Sequence, residues 1–231
     1  MAPKIDTRKT VVLGRLIRSI VAGLALTLLL GGPVAAGTTD SRYFERAHQA
    51  SAWKSGCRAS PDSDLQTCRI LSISVFAGKR GGTDPATRLT GYEVNLSKTK
   101  ETTNHATGEI VEGRYVHGSV INDDALQVRF DGVRGASVQG TMYLSITRCD
   151  DSGECVESGR RMAIDLDWTA PPGPASKSFS YYRYNDAGCE SIYTDTRRGR
   201  NSRLSGGVDG EPLRARGHVV HVDLLMTRVC T

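Results

Sequence analysis

The chain has 231 residues, with 30 Lys and Arg, 25 Asp and Glu and six cysteines, a size that suits one or two domains. Five of the basic residues and one acidic residue lie in residues 1–36, so the remainder carries 25 against 24, a net charge of +1. Nucleic-acid binding requires a strong basic surplus. This balance therefore excludes nucleic acid as an expected partner.

Residues 1–36 have the pattern of a secretory signal peptide. A basic segment precedes an apolar run over Ile20–Leu30, Gly31-Gly32-Pro33 interrupts it, and Val34-Ala35-Ala36 supplies the small residues that signal peptidase needs. The run is shorter than the about 20 residues of a membrane-spanning helix, which favours a cleaved signal over a retained anchor. We expect a mature chain that begins at Gly37, is secreted into the extracellular space and has no stable membrane insertion.

The rest of the chain is rich in arginine and poor in lysine, which together with the long signal is typical of an exported bacterial protein. Residues 37–56 are predicted to form an N-terminal tail or a short helix. The helix is expected over Arg42–Trp53, where three residues recur at helical spacing, namely Tyr43, Ala47 and Ala50. Residues 57–231 are expected to form a disulfide-bonded β domain.

Six cysteines in an exported chain indicate disulfide bonds rather than metal ligands. No C-x-x-C motif and no zinc-finger spacing occurs in the sequence. Spacing alone leaves 15 connectivities open, but short polar turns separate two of the pairs and leave the last two cysteines for each other. We therefore predict the bonds Cys57–Cys68, Cys149–Cys155 and Cys189–Cys230.

Alternation of apolar and polar residues predicts strands along most of the chain. It is clearest over Met162–Trp168, where Asp165 and Asp167 face away from the apolar set. Further strands are expected at Arg69–Phe76, Leu89–Leu96, Glu109–Ile121, Leu126–Phe130, Val138–Ile146, Phe179–Tyr184, Ser191–Thr194, Arg203–Val208 and Val219–Leu224. Many short strands with frequent turns predict an all-β fold, an antiparallel β-sandwich or barrel-like domain.

Two features punctuate these strands. Pro171–Pro174 is the strongest break, and we interpret it as a connection between sheets rather than between two subdomains, because so short a remainder would be marginal alone. A glycine followed by a small and then an apolar residue recurs in Tyr115–Val120, Ser137–Met142 and Arg203–Val208. Glycine inside a strand predicts a bulge or a close backbone approach.

No catalytic, cofactor-binding or metal-ligating motif emerges from the sequence. His221 and Asp223 share a strand face, which suits either a general base or a solvated ion pair. Asp165 and Asp167 fit a polar sheet surface better than a glycosidase pair. The oxygen-rich segment Asp150–Glu154 raises a calcium hypothesis, although its spacing is not that of an EF-hand.

Recognition surfaces are the other candidates. Tyr181, Tyr182 and Tyr184 form the densest aromatic segment, in which Tyr182 and Tyr184 could present their rings to a carbohydrate or a protein. The alternative is that most of these rings fill the core or cover a sheet edge. Arg197–Arg203 is the densest basic cluster and is expected to be a solvated loop. Arg58–Thr67 forms a loop closed by its cysteines, as in some protease inhibitors.

Two hypotheses of function follow. The first is a secreted, non-catalytic β module that binds an extracellular protein or an envelope polymer, without a cofactor. The second is a secreted hydrolase whose site is assembled from separate strands, with His221 and Asp223 as its first candidates.

The signal-peptide prediction has a direct test. N-terminal sequencing of the protein from culture medium is expected to start at Gly37, because the small residues before it suit signal peptidase. An intact Met1 in the membrane fraction would contradict the prediction.

Overall fold

A computed structural model of the chain describes residues 41–230. The predicted signal peptide, its cleavage site and residues 37–40 lie outside that range. The described residues belong to one compact unit. Within them, no helix has the length and apolar character needed to cross a membrane.

Residues 41–230 form ten antiparallel strands and one short 3-10 turn at Pro85–Thr87. The strands are β1 Ser41–Ala59, β2 Leu65–Gly81, β3 Leu89–Asn104, β4 Ile110–Ile121, β5 Leu126–Asp131, β6 Gly135–Cys149, β7 Cys155–Thr169, β8 Ser176–Asp186, β9 Cys189–Val208 and β10 Glu211–Cys230. The all-β prediction is thereby confirmed. Pro171–Pro174 lies in the connection between β7 and β8, inside the same unit.

The sheet closes on itself. Hydrogen-bonded neighbours run in the order β10, β1, β2, β3, β4, β6, β7 and β9, and β9 pairs in turn with β10. Eight strands therefore make a closed ring, to which β5 adds along β6 and β8 along β9. Alternate side chains of each ring strand point inward, so the aliphatic residues of all eight strands share one core.

The core confirms the alternation expected in β7. Met162, Ile164, Leu166 and Trp168 are buried, whereas Asp165 and Asp167 are exposed. The Trp168 indole N–H donates a hydrogen bond of 3.1 Å to the carbonyl of Ser51. Because β7 and β1 are not neighbours in the ring, this bond ties two separate parts of the sheet together and satisfies a buried donor.

The helix predicted over Arg42–Trp53 is wrong, because these residues belong to β1. Both edges of β1 are paired, one with β10 and the other with β2. Ala50 and Ala52 alternate into the core, and Ala47 is buried on the other face. The ladders on both edges outweigh the helical spacing of the alanines. Residue 57 also lies inside β1, so it marks no boundary of the β domain.

Three disulfides cross-link the sheet at the ends of its strands, in the pairs expected from the sequence. Cys57–Cys68 joins β1 to β2, Cys149–Cys155 joins β6 to β7, and Cys189–Cys230 joins β9 to β10. In each case the two residues are directly opposite in the strand register. Each bond therefore reinforces a pairing that the backbone already makes.

The recurring glycines lie where strands approach each other closely. Gly140 and Gly206 have φ angles of 133° and 121°. A Cβ at either position would lie 2.0 Å from a backbone carbonyl oxygen, that of Ala125 or Asp165 respectively. Near Gly140 the partner of β6 along one edge changes, from β5 on one side to β4 on the other. These positions therefore require glycine for the sheet to close.

We predict that Gly206→Ala lowers the free energy of unfolding by about 2–3 kcal/mol, because the backbone conformation and the carbonyl contact both oppose a side chain. Gly56→Ala is the matched control, since a Cβ there meets no atom within 4 Å, and it should change stability by less than about 0.5 kcal/mol. Urea unfolding followed by tryptophan fluorescence measures both. Equal stabilities of the two variants would contradict the close-approach interpretation.

Candidate functional site

At one end of the closed sheet the inward-facing residues change from aliphatic to basic. The change occurs in the four adjacent strands β1 to β4, and the register between these strands places their basic residues at the same end of the sheet. The inward series are Ala50, Ala52, Lys54 in β1; Ile73, Leu71, Arg69 in β2; Val94, Leu96, Lys98, Lys100 in β3; and Val116, Arg114 in β4.

The basic ends of these series, with Leu71 and Val116, line a cavity of about 500 Å³, here called the basic cavity. The start of β10 completes its wall. Buried side chains of Leu71, Val116 and Leu213 contribute apolar surface that continues into the core. The charged lining consists of six cations and one acid: Lys54, Arg69, Lys98, Lys100, Arg114, Arg214 and Glu211. The cavity thus combines an apolar surface with a strong excess of positive charge.

Only part of this charge is neutralised within the protein. Lys98 pairs with Glu211 at 2.5 Å, and Lys100 pairs with Glu112 at 2.9 Å. Among residues 41–230 no carboxylate lies within salt-bridge distance of Lys54, Arg69, Arg114 or Arg214. Four cations therefore remain available to an anion that enters the cavity.

The positive charge of the cavity lowers the pKa of Glu211. The hydrogen bond from Lys98 lowers this pKa most, burial opposes the change, and the charges of Lys98, Arg114 and Arg69 lower it further. In addition, Arg114 Nε is buried and has no hydrogen-bond partner in the described part of the chain. A buried donor of this kind favours an acceptor from outside the protein.

The pair proposed from sequence for general base chemistry does not form. Asp223 is directed to Arg46, with a separation of 3.4 Å, and the buried Nδ1 of His221 has no hydrogen-bond partner among residues 41–230. Asp165 accepts a bond from Gln139 on the exposed face of the sheet. The hydrolase hypothesis therefore loses the one dyad on which it rested.

The oxygen-rich segment Asp150–Glu154 is a tight hairpin turn. Asp150 Oδ1 accepts bonds from the backbone N–H groups of Ser152 and Glu154 and from the Ser152 hydroxyl. These bonds, that of the hydroxyl first, lower the pKa of Asp150. Across residues 41–230, no group of three or more His, Cys, Asp or Glu side chains is arranged to hold a metal ion.

Two of the recognition candidates, the tyrosines and Arg197–Arg203, lie apart from the basic cavity, whereas Arg58–Thr67 lines a neighbouring pocket that shares Arg69 and Lys100 with it. Tyr181, Tyr182 and Tyr184 are exposed on β8, an outer strand that pairs with β9, and the Tyr182 ring contacts Tyr193 with centroids 5.8 Å apart. Arg197–Arg203 was expected to be a loop but belongs to β9, where pairing with β10 overrides its glycine. Arg58–Thr67 includes the turn that joins β1 to β2 beside Cys57–Cys68.

Sequence reasoning missed the basic cavity because it stopped one strand at Leu96, before Lys98 and Lys100, and because it did not assign the polar residues inside the other predicted strands to a face. Period-two alternation continues beyond the predicted strand from Leu96 to Lys98 and Lys100, and within the predicted strand of β2 it places Arg69 on the face of Leu71. Extending the alternation would have identified these cations as inward-facing. Their assembly into one site depends on strand register, which the sequence pattern does not specify.

Comparison with known proteins adds no family assignment. No protein-family model matches the chain, and no curated protein matches its sequence.

We predict that Lys98→Met raises the pKa of Glu211, because it removes the hydrogen bond that contributes most to lowering it. Lys100→Met is the matched control, since Lys100 pairs with Glu112 instead. Carboxyl titration by NMR of protein labelled on glutamate measures the shift. An unchanged Glu211 titration in Lys98→Met would contradict the pairing.

Proposed function

We propose that the protein is a secreted, non-catalytic binding module that holds an anionic molecule in the basic cavity. The extracellular location is supported by the signal-peptide pattern and by the three disulfides, which persist in oxidising compartments. The observation that carries the ligand proposal is the group of four cations without a carboxylate partner around an apolar surface.

Charge determines the ligand class. The described cations of the cavity lie close together and raise one another's energy, which an entering anion offsets. Arginine binds carboxylate, sulfate and phosphate groups with paired hydrogen bonds, and Arg69, Arg114 and Arg214 all line the cavity. The buried Nε of Arg114 supplies a donor that no described group uses.

The apolar surface narrows the class further. Leu71, Val116 and Leu213 line the cavity, so a ligand with a short hydrocarbon part gains from burying it there. A cavity of about 500 Å³ falls in the range of small-molecule sites. We therefore propose an anionic amphiphile, with its charged end at the arginines and its apolar end against the three aliphatic residues.

The test uses octyl sulfate below its micellar concentration and isothermal titration calorimetry. Arg69→Met and Arg114→Met should each weaken binding by about tenfold, because each removes a charge-assisted hydrogen bond of about 1.5 kcal/mol or more. Arg228→Met is the charge-matched control, since Arg228 is exposed near the other end of β10. Binding should also weaken as sodium chloride is raised.

Two further ligands separate the contribution of the hydrocarbon chain to binding from that of the charged group. Octyl glucoside carries the same chain without the charge and should bind far more weakly, while inorganic sulfate tests the charged group alone. Equal binding of octyl sulfate and octyl glucoside, or an equal loss of affinity in Arg228→Met, would overturn the proposed function.

A further inference from the structure

A second cavity lies at the other end of the closed sheet, and it is here called the histidine cavity. Its volume is about 530 Å³, and its lining residues are His48, His221, Arg198, Arg200 and the turn Asp131–Arg134. On β1, Lys54 of the basic cavity lies six positions after His48, which at about 3.3 Å per residue is roughly 20 Å. The two cavities are therefore separate sites.

Strand register brings the two histidines together. His48 of β1 is directly opposite His221 of β10, and their ring centroids are 4.6 Å apart. The ring of Phe130, near the end of β5, lies 5.5 Å from that of His48. The turn between β5 and β6 lines the same cavity, and its Val133 is buried. The two imidazoles are thus half-buried side by side in the lining of one cavity.

Two of the lining residues carry buried polar atoms without a partner. Within residues 41–230, neither His221 Nδ1 nor Arg200 Nε makes a hydrogen bond. Leaving such an atom unpaired costs about 1–3 kcal/mol. Two of them in the lining of one cavity therefore favour a bound group that makes the missing hydrogen bonds. Both atoms call for a hydrogen-bond acceptor, because the guanidinium Nε is a donor and an imidazole nitrogen donates when it carries a proton.

The charges around the histidines select the sign of that group. Arg198 and Arg200 of β9 have no carboxylate within salt-bridge distance among the described residues. Arg134 of the turn pairs with Asp131 at 2.8 Å, while Asp223 of β10 pairs with Arg46 of β1. On β2, the residue opposite His48 is the uncharged Ala77. The charged side chains around the two histidines therefore have a net positive charge, which disfavours a metal cation and favours an anion.

We propose that the histidine cavity binds a tetrahedral oxyanion, either free or as the end group of a sulfate or phosphate monoester, and that it takes up a proton when it does so. The anion lies between the two arginines of β9 and the two imidazoles. The arginines supply permanent charge, and the imidazoles supply N–H donors. This proposal is independent of the basic cavity and of the function proposed for it.

The direction of the pH effect follows from His48. Burial, and then the neighbouring His221, lower the pKa of His48, so that its imidazole is neutral at pH 7 in the empty cavity. An anion beside it favours the charged form and raises the pKa. The bound state therefore holds more protons than the free state. Affinity increases as the pH falls from above the pKa of His48 in the complex toward its lower pKa in the free protein.

Calorimetry with sodium sulfate tests the proposal, because sulfate itself does not titrate between pH 5.5 and 7.5. At constant ionic strength, adjusted with sodium chloride, affinity should be about tenfold higher at pH 5.5, the effect of a pKa shift of one unit. Heats measured in buffers of different ionisation enthalpy should show proton uptake. Glucose 6-sulfate distinguishes the source of the anion: binding of either form supports the site, and tighter binding of the ester identifies a monoester as its ligand.

The variants separate this cavity from the other. His48→Gln should abolish the pH dependence and weaken sulfate binding, whereas His218→Gln, which changes a histidine outside the cavity lining, should leave both unchanged. The pH-dependent part of sulfate binding should also persist in Arg69→Met, which changes only the basic cavity. Sulfate affinity that does not vary with pH, or a pH dependence that is lost in Arg69→Met, would overturn the proposal.

Titration of the unsubstituted protein covers the case in which His48→Gln fails to fold. NMR of the histidine ring resonances should show that saturating sulfate raises the pKa of His48. A His48 titration that is the same with and without sulfate would also overturn the proposal.

Discussion

The structure depends on β10 being paired along both of its edges. One edge pairs with β1 and the other with β9, so the antiparallel sheet returns to its first strand. Once it has closed, every ring strand has an inside and an outside, and period-two alternation assigns each side chain to one of them. The buried aliphatic core, the Trp168 bond across it and the contents of both cavities follow from that assignment.

Closure also explains why the charged sites lie at the ends. The middle of the ring is filled by aliphatic side chains and Trp168, and leaves no room for solvent-exposed charge. Toward the ends, inward-facing positions meet water, and the same face of the strands carries Lys and Arg at one end and two histidines with arginines at the other. A chain with almost balanced charge beyond residue 36 can in this way still present two strongly basic concavities.

The sequence predicted the structure correctly where apolar and polar residues alternate strongly. It misled where pairing with neighbouring strands determines the conformation of a segment. The apolar series of β7 predicted its buried face, and cysteine spacing predicted the same three disulfides that the structure contains. The alanines of β1 fit a helix equally well, and only the ladders on both edges make them a strand. Neither cavity was predicted, because each strand contributes one or two of its charges and the register between strands brings them together.

The pairing of β1 with β10 has a consequence for biosynthesis. These strands lie near opposite ends of the described residues, so their contact has a high sequence separation and forms late. Until β10 has been made, the emerging polypeptide carries β1 with one unpaired edge, a template for wrong pairing and aggregation. The nascent chain is therefore expected to depend on holding chaperones until its last strand is complete.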